Sequence, residues 1–415
     1  MTLALDPHDR ARLAGEGTPA EQLSMRIVVA VAEAMGAGGL LDIDSAHIDS
    51  CLFHGRAGLD FVELLVDGNG AVSVPTTLNV GSLDLLHPEL YRGDPETAVL
   101  GRRQMAAYEA LGCRPTWTCA PYQLPERPGF GRHVAWAESN AIVFANSVLG
   151  ARTHRYGDFI DICAAIVGRV PAAGLHLPEA RLGQVVYRLA ADTLGLAEHD
   201  VLFPVLGHLI GSDCGTAVPV VDGLPAGVSE DRLKALGAAA ASSGSVGMIH
   251  VVGTTPEAPD LATALGGREP MRVVPVDLAA LRVARDDLST VADGEGVDAV
   301  ALGTPHASAD ELGALVRHLG GRRPSIDLTI NTGRDVLAAV PDTVRALESA
   351  GVRVVTDTCT YITPILDARV VMTDSAKWAW YAPANLGVDV VFGSTVDCVE
   401  SAVAGRVVRS SEVWS

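Results

Sequence analysis

The second half of the chain alternates short apolar strands with helices, and this alternation limits the possible folds more than any other feature. The predicted strands are GMIHVVG, MRVVPV, VDAVALG, IDLTIN, VRVVTDT, ARVVMTDS and VDVVFGS. Segments such as ADELGALVRHLG and DTVRALESAG separate them and are typical of helices. Continuous apolar strands that alternate with helices predict parallel sheets that are covered on both faces.

The first half shows the same alternation with less regular spacing. Its first long helix is predicted to begin at Thr18, with Pro19 in the first turn and Glu21 three residues after the cap. We therefore predict an α/β protein with mostly parallel sheets in α/β/α layers. We expect three segments, at residues 1–225, 226–297 and 298–415.

Composition argues against several classes of function. A chain of 415 residues with 48% hydrophobic content can bury the cores of two or three domains. The net charge of -19 and the lack of a basic stripe argue against nucleic-acid binding. No run of about 18 or more apolar residues predicts a membrane helix, and the N-terminus lacks the pattern of a signal peptide. We expect a cytoplasmic protein.

Unusual polar residues follow five predicted strands of the last segment. The carboxyl ends of parallel strands meet at one edge of a sheet, where ligands of such folds bind. The five strand ends therefore predict one shared cleft. Its candidate residues are Thr304, Pro305 and His306, then Asn331 and Arg334, then Asp357 and Cys359, then Ser375 and Lys377, and finally Ser394 and Cys398.

Three of the seven cysteines are candidates for a metal site. Cys359 and Cys398 follow predicted strands, and Cys119 lies in the irregular loop TWTCAPYQLP. Thiolates from distant loops suit an iron–sulfur cluster better than structural zinc, which usually shows paired Cys-x-x-Cys spacing. The others are predicted to be buried thiols, and they are Cys51, Cys113, Cys163 and Cys214.

The stretch AWAESNAIVFANSVLGAR carries an uncharged polar face. Projected as a helix, it brings Ser139, Asn140, Asn146 and Ser147 onto one arc. Such an arc supplies neutral hydrogen bonds either to a ligand or to a buried structural network. Glu138 precedes it, and this carboxylate suits proton transfer if burial raises its pKa, or a stabilising position in the first helical turn.

The segments CLFHGRAG and VPTTLNVGS present further polar candidates. Thr76, Thr77 and Asn79 suit recognition of hydroxyl and carboxylate groups, while His54 is either a structural hydrogen-bonding residue or a catalyst. Lys377 draws attention because it is one of only two lysines among 31 basic residues. A lysine retained in such a composition suggests a chemical need.

Several long motifs together resemble one family. They are HIDSCLFHGRAGLDF, VPTTLNVGS, TCAPYQLP, ESNAIVFANSVLGARTHR, GTPHAS, TDTC, TDSAKWAWY and STVDC. From about residue 20 to 405 the chain resembles the large, catalytic part of aconitase X, a branch of the aconitase superfamily. The resemblance implies a dehydratase with an iron–sulfur cluster, of a nuclearity that is not predicted, held here by Cys119, Cys359 and Cys398.

The resemblance also implies substrates and a partner. Known members dehydrate cis-3-hydroxy-L-proline to Δ1-pyrroline-2-carboxylate or act on mevalonate 5-phosphate, and the preference for arginine over lysine favours the first, which is the bacterial substrate. Members carry a swivelling domain either in the same chain or on a small subunit. This sequence shows no such domain, so a small partner subunit that brings a catalytic serine is expected.

The mechanism that we expect requires two further roles, proton handling and substrate binding. An iron that coordinates the hydroxyl eases its departure while a base removes the proton next to the carboxylate. Candidates for proton handling are His54, Glu138, His306 and Lys377. Candidates for substrate binding are Thr76, Thr77, Asn79, Ser139, Asn140, Asn146, Ser147, Arg152 and Thr304. A rival of another class is a non-catalytic metal-binding or cluster-binding regulatory protein, which would need the cysteines alone.

Overall fold

The structure is a computed structural model that describes residues 3–291, 296–410 and 412–414. It divides into two units. Unit 1 consists of the chain up to Leu83 and of Asp94–Leu182, and unit 2 consists of Asp84–Gly93 and of the chain from Gly183 onwards. The three segments expected from the sequence, 1–225, 226–297 and 298–415, stay a prediction.

Unit 1 contains six helices and five strands among its described residues. The helices are α1 (Pro7–Ala14), α2 (Pro19–Ala34), α3 (Arg56–Asp67), α4 (Pro95–Ala110), α5 (Ser139–Ser147) and α6 (Ile160–Val167). The strands are β1 (Leu40–Asp42), β2 (Ala46–Ile48), β3 (Thr76–Leu78), β4 (Ala135–Trp136) and β5 (Arg169–Pro171).

The sheets of unit 1 are small. Strands β3, β2 and β4 form a parallel sheet in that order, and β1 pairs with β5 in an antiparallel ribbon. Helix α2 begins at the predicted cap, because the hydroxyl of Thr18 accepts from the backbone of Glu21 at 3.2 Å and the Glu21 carboxylate accepts from the backbone of Thr18 at 2.8 Å. The predicted helix start is confirmed.

Unit 2 contains nine helices and nine strands among its described residues. The helices are α7 (Leu202–Cys214), α8 (Glu230–Ser243), α9 (Leu261–Ala264), α10 (Leu278–Asp286), α11 (Ala309–Leu319), α12 (Arg334–Ala339), α13 (Pro341–Ala350), α14 (Ala376–Leu386) and α15 (Thr395–Ala404). The strands are β6 (Val185–Leu189), β7 (Pro219–Asp222), β8 (His250–Val251), β9 (Arg272–Val276), β10 (Ala299–Ala307), β11 (Asp327–Thr332), β12 (Arg353–Val355), β13 (Val370–Thr373) and β14 (Asp389–Phe392).

The strands of unit 2 form two parallel sheets. One has the order β8, β7, β6, β9, and the other has the order β12, β11, β10, β13, β14. The second sheet starts at its centre with β10, extends to one side through β11 and β12, and then extends to the other side. This reversal between β10 and β13 is the switch point at which open α/β sheets bind ligands.

Helices cover the five-stranded sheet with apolar side chains. Leu312, Leu315 and Leu319 of α11 are buried in one cluster with Leu347 of α13 and Val399 of α15. The predicted α/β fold with mostly parallel sheets is thus confirmed. Within the described ranges, no helix combines the length and the apolar character that crossing a membrane requires.

Candidate functional site

Two aspartates hold the loop that follows β12. Asp84 accepts hydrogen bonds from the backbone nitrogen of Thr356 at 3.0 Å and from its hydroxyl at 3.1 Å. Asp357 has a positive φ of 61°, and Nε and Nη2 of Arg334 both donate to its buried carboxylate at 2.6 Å. A positive φ costs such a residue about 1–3 kcal/mol, which the ion pair helps to offset. These contacts fix the loop that carries Cys359.

Cys359 lies near His306 within unit 2. A ring nitrogen of His306 and the Sγ atom of Cys359 are within 4.8 Å of each other, and both side chains are fully buried. Nε2 of His306 lies 3.1 Å from the carbonyl oxygen of Thr358. Because a carbonyl only accepts, Nε2 is the donor in this contact, and Nδ1 is the nitrogen that holds the lone pair in the neutral form of such a ring. An imidazole and a thiol so arranged are suitable ligands for a transition metal.

Cys398 follows β14, as predicted, but its thiol is buried in the apolar core of the sheet. Burial, and then the negative charges of Asp374 and Asp397, raise the pKa of this thiol well above its ordinary value. Metals bind the thiolate. Cys398 could therefore become a ligand only if metal binding displaces its proton.

A cavity of about 330 Å³ lies at the switch point of the five-stranded sheet. Lys234 and Lys377, the two lysines of the chain, both line it, and they are 4% and 2% exposed. Nζ of Lys377 lies 5.8 Å from the centre of the Tyr361 ring. Lys234 is paired with Asp231 and Glu311, so the positive charge that the cavity offers beside the strand ends is that of Lys377.

Thr304 and Ser375, two more of the strand-end candidates, line the same cavity. The hydroxyl of Ser375 donates to the carbonyl of Thr304 and also caps α14. Nδ2 of Asn331 lies 3.3 Å from the hydroxyl of Thr304. The structure therefore brings strand ends β10, β11 and β13 together, as predicted for a shared cleft.

In unit 1, the start of α5 holds the backbone of Cys119. Nδ2 of Asn140 donates to the carbonyl of Cys119 at 2.9 Å, and Oδ1 of Asn140 accepts from the hydroxyl of Tyr122 at 2.6 Å. Glu138 caps the helix, since its carboxylate accepts from the backbone of Ala141 at 2.7 Å and also from Asn140. These contacts are those of a helix cap, and proton transfer by Glu138 stays a prediction.

The other end of α5 is also part of a buried network. Nδ2 of Asn146 donates to the carbonyl of Thr153 at 2.9 Å, and Oδ1 accepts from the backbone of Thr153 and from Nη1 of Arg181. Arg181 is 1% exposed and Ser147 is buried. Ser139 is half-buried and lies 3.2 Å from the carboxylate of the preceding residue. For the two asparagines, the observed contacts match the structural network that the sequence left open.

The candidates of VPTTLNVGS also make contacts inside unit 1. Thr76 donates to the carbonyl two residues earlier at 2.8 Å, and the hydroxyl of Thr77 lies 2.8 Å from Nδ1 of His47. Asn79 donates to the carboxylate of Asp49. Thr76 and Asn79 are buried. Substrate binding by these three residues stays a prediction.

His54 and Arg152 differ in their surroundings. His54 is exposed before α3. Arg152 is half-buried, and its Nη1 donates to the carbonyl of His176 at 3.1 Å. Its Nε atom is buried and has no hydrogen-bond partner within the part of the chain that the structure describes. The guanidinium of Arg152 thus retains an N–H group that could donate a hydrogen bond to a carboxylate.

A histidine cluster near Arg152 is absent from the sequence-based prediction. Nδ1 of His133 lies 3.0 Å from Nδ1 of His176, and the hydroxyl of Tyr156 lies 2.6 Å from Nε2 of His176. Burial, together with the neighbouring histidines and arginines, lowers the pKa of His176 to about 3. No local pattern pointed to this cluster, because its members are 20 and 43 residues apart along the chain.

Fold and site together define a multidomain α/β protein with buried metal-ligand and basic side chains at the edge of a parallel sheet. Sequence models of three aconitase X domains match this chain. The first domain matches residues 2–179, the second matches residues 183–286 and the third matches residues 297–404.

Individual relatives extend the match to nearly the whole chain. The cis-3-hydroxy-L-proline dehydratase of Pseudomonas aeruginosa is 44% identical over 99% of this chain and 72% of its own length. The phosphomevalonate dehydratase large subunit of Methanothermobacter thermautotrophicus is 36% identical over 95% of this chain and 98% of its own length. The crystal structure of Thermococcus kodakaraensis aconitase X in its holo-form matches with a TM-score of 0.86 at 32% identity, over 96% of this chain and 100% of that chain.

This chain therefore belongs to the aconitase X family. The predicted hydro-lyase class is confirmed at the level of the family, because the named relatives are dehydratases. Family membership and the pair formed by His306 and Cys359 indicate a bound metal or metal cluster.

Proposed function

We propose that this chain is the large, catalytic part of an iron–sulfur dehydratase that converts cis-3-hydroxy-L-proline to Δ1-pyrroline-2-carboxylate. The observation that carries the proposal is the 44% identity, over 99% of the chain, to the Pseudomonas aeruginosa enzyme named for that substrate. Elimination of water from a hydroxy acid is slow because hydroxide is a poor leaving group. When bound, the cluster supplies a Lewis-acidic iron that stabilises this leaving group.

Cys119, Cys359 and Cys398 are the proposed cluster ligands, as the resemblance implies. The geometry within unit 2 supports Cys359 most directly, since its thiol lies near a ring nitrogen of His306. The same distance makes His306 a rival to Cys398 for the third position, because the Cys398 thiol lies among apolar side chains. If His306 is the third ligand, its proposed role is metal binding and not proton handling.

Iron analysis of two variants decides between these ligands. If Cys398 is a ligand, Cys398→Ser loses iron while His306→Gln retains it, and the reverse result assigns the position to His306. Cys214→Ser is the matched control, because serine keeps a donor for the carbonyl of Ala217, which the Cys214 thiol approaches to 3.3 Å. Retention of iron by both variants would exclude both residues as required ligands.

Lys377 is the residue that we assign to the substrate carboxylate or to proton transfer, and Thr304, which lines the same cavity, is assigned to substrate binding. Its support is the buried cavity at the switch point, in which an ammonium group attracts a carboxylate as a point charge. The Nε atom of Arg152, which has no hydrogen-bond partner among the described residues, supports carboxylate binding by offering an N–H donor. Catalytic or substrate-binding roles stay predictions from the sequence for His54, Glu138, Thr76, Thr77, Asn79, Ser139, Asn140, Asn146 and Ser147.

A second candidate substrate is mevalonate 5-phosphate. The observation in its favour is the 36% identity, over 95% of this chain, to the phosphomevalonate dehydratase large subunit of Methanothermobacter. The name of the Methanothermobacter relative, a large subunit, also supports a separate small subunit, which we propose carries the swivel domain, whereas the name of the Pseudomonas relative implies no partner. Such a partner would make this chain inactive alone.

The test is anaerobic co-expression with a candidate small subunit, followed by parallel assays of both compounds. We expect loss of cis-3-hydroxy-L-proline and formation of the cyclic imine, with mevalonate 5-phosphate unchanged. Turnover of mevalonate 5-phosphate alone would show that the second candidate is the substrate. An iron-loaded complex that consumes neither compound would overturn both substrate proposals.

A further inference from the structure

Lys234 occupies an unusual position on α8. It is 4% exposed, and its Nζ atom donates to the carboxylate of Glu311, to the carboxylate of Asp231 at 3.0 Å and to the carbonyl of His306 at 3.4 Å. A lysine ammonium has three donors, so each can serve one acceptor. All three N–H groups of the Lys234 ammonium therefore have acceptors inside the protein.

Two acceptors of Lys234, His306 and Glu311, lie in the short segment 306–311, and the third, Asp231, lies on α8. Ser308 caps α11, and its backbone nitrogen donates to the carboxylate of Glu311 at 2.8 Å. Its hydroxyl donates to the second oxygen of Asp231 at 2.7 Å. Residues 306–311 are consequently fastened to α8 at His306, Ser308 and Glu311.

His306 is held from two directions. Its carbonyl accepts from Lys234, while Nε2 of its ring bonds to the carbonyl of Thr358, next to Cys359. A shift of the backbone at His306 would therefore move the ring relative to the Cys359 thiol. A misplacement of about 1 Å at a reacting group can cost about 100-fold in rate.

We propose that Lys234 is a positioning residue that sets the place of His306 in the active site. The inference rests on the proposed function, in which His306 handles protons or binds metal. The chemistry explains why this position holds a lysine in a chain with 29 arginines, since 31 basic residues include two lysines. An ammonium group donates in three divergent directions from a single atom, whereas a guanidinium donates from three nitrogens in one plane, so arginine would place its donors differently.

The experiment compares Lys234→Arg, which keeps the charge, with Arg268→Met, which removes an exposed cation that does not line the cavity. Lys234→Met serves only as a second variant, because it leaves two half-buried carboxylates without their cation. Both readouts use the full chain, prepared anaerobically with its small subunit. The first is NMR of labelled histidine, in which the His306 signal is identified by its loss in His306→Gln.

The second readout is the separate measurement of kcat and KM. We expect Lys234→Arg to keep its fold, to shift the His306 signal and to lower kcat about tenfold or more, with little change in KM. Arg268→Met should change neither readout. An unshifted His306 signal, or a shifted signal with unchanged kcat, would overturn the proposal. Because the NMR arm needs no turnover, a wrong substrate assignment would be seen separately in the wild-type assay.

Discussion

At the scale of single residues, buried hydrogen bonds control the surroundings of Cys119. The amide of Asn140 joins the Cys119 carbonyl, the Tyr122 hydroxyl and the Glu138 carboxylate. Sequence alone placed Asn140 on an uncharged polar face but could not assign its partners. The reason is that a helical projection shows which residues share a face and not what that face contacts.

The first prediction concerns Asn140. We expect Asn140→Ala to lower the free energy of unfolding by about 1–3 kcal/mol, because it leaves buried polar partners unsatisfied. Asn385→Ala, at an exposed position of α14, is the matched control and should have little effect. Urea denaturation measures both, and equal midpoints for the two variants would contradict the network described for α5.

The second prediction concerns His176, whose pKa is lowered to about 3 in the folded state. Below pH 6.5, the ordinary value, the unfolded chain binds a proton that the folded chain excludes. Stability is therefore lost as the pH falls from 6.5 towards 3. Replacing His176 with glutamine should remove about 2 kcal/mol of the loss in unfolding free energy between pH 7 and pH 5.

The measurement is urea denaturation at both pH values. His199→Gln, at an exposed position, should keep the pH dependence of the wild type. If His176→Gln also keeps it unchanged, another group causes the acid sensitivity.

At the scale of elements, the strand ends of the five-stranded sheet do most to define the candidate site. The sequence predicted all seven strands of the second half, because each combines a continuous apolar run with flanking helices. It did not predict that Asp84, 272 residues from Thr356, holds the loop before Cys359. Contacts between residues so distant in sequence leave no local pattern.

The third prediction tests that loop. Arg334→Met removes the cation that binds the buried carboxylate of Asp357. Because Arg334 is itself partly exposed, the loss should be smaller than the about 3–5 kcal/mol that breaking a fully buried ion pair costs. We expect lower stability and a lower iron content, because the loop carries Cys359. Arg345→Met is the matched control, since Arg345 pairs with Asp342 at an exposed site.

Iron analysis and denaturation of both variants give the answer. The account of the loop would be wrong if Arg334→Met matched Arg345→Met in iron content and in stability.

At the scale of the whole molecule, two chain units supply the candidate residues. Unit 1 carries Cys119, and unit 2 carries Cys359, Cys398, His306 and Lys377. The family was predictable from long motifs, and comparison with relatives confirms it. The histidine cluster and the role proposed for Lys234 were not predictable from the sequence, because both depend on burial and on partners that are distant in sequence.

The most direct test of the central claim is the iron and acid-labile sulfide content of the anaerobically purified chain. We predict that the wild type and Cys214→Ser contain both, and that Cys359→Ser, a change of one buried atom, contains neither. Full iron and sulfide in Cys359→Ser, or a wild type that holds zinc without sulfide, would contradict the assignment of this chain as an iron–sulfur dehydratase.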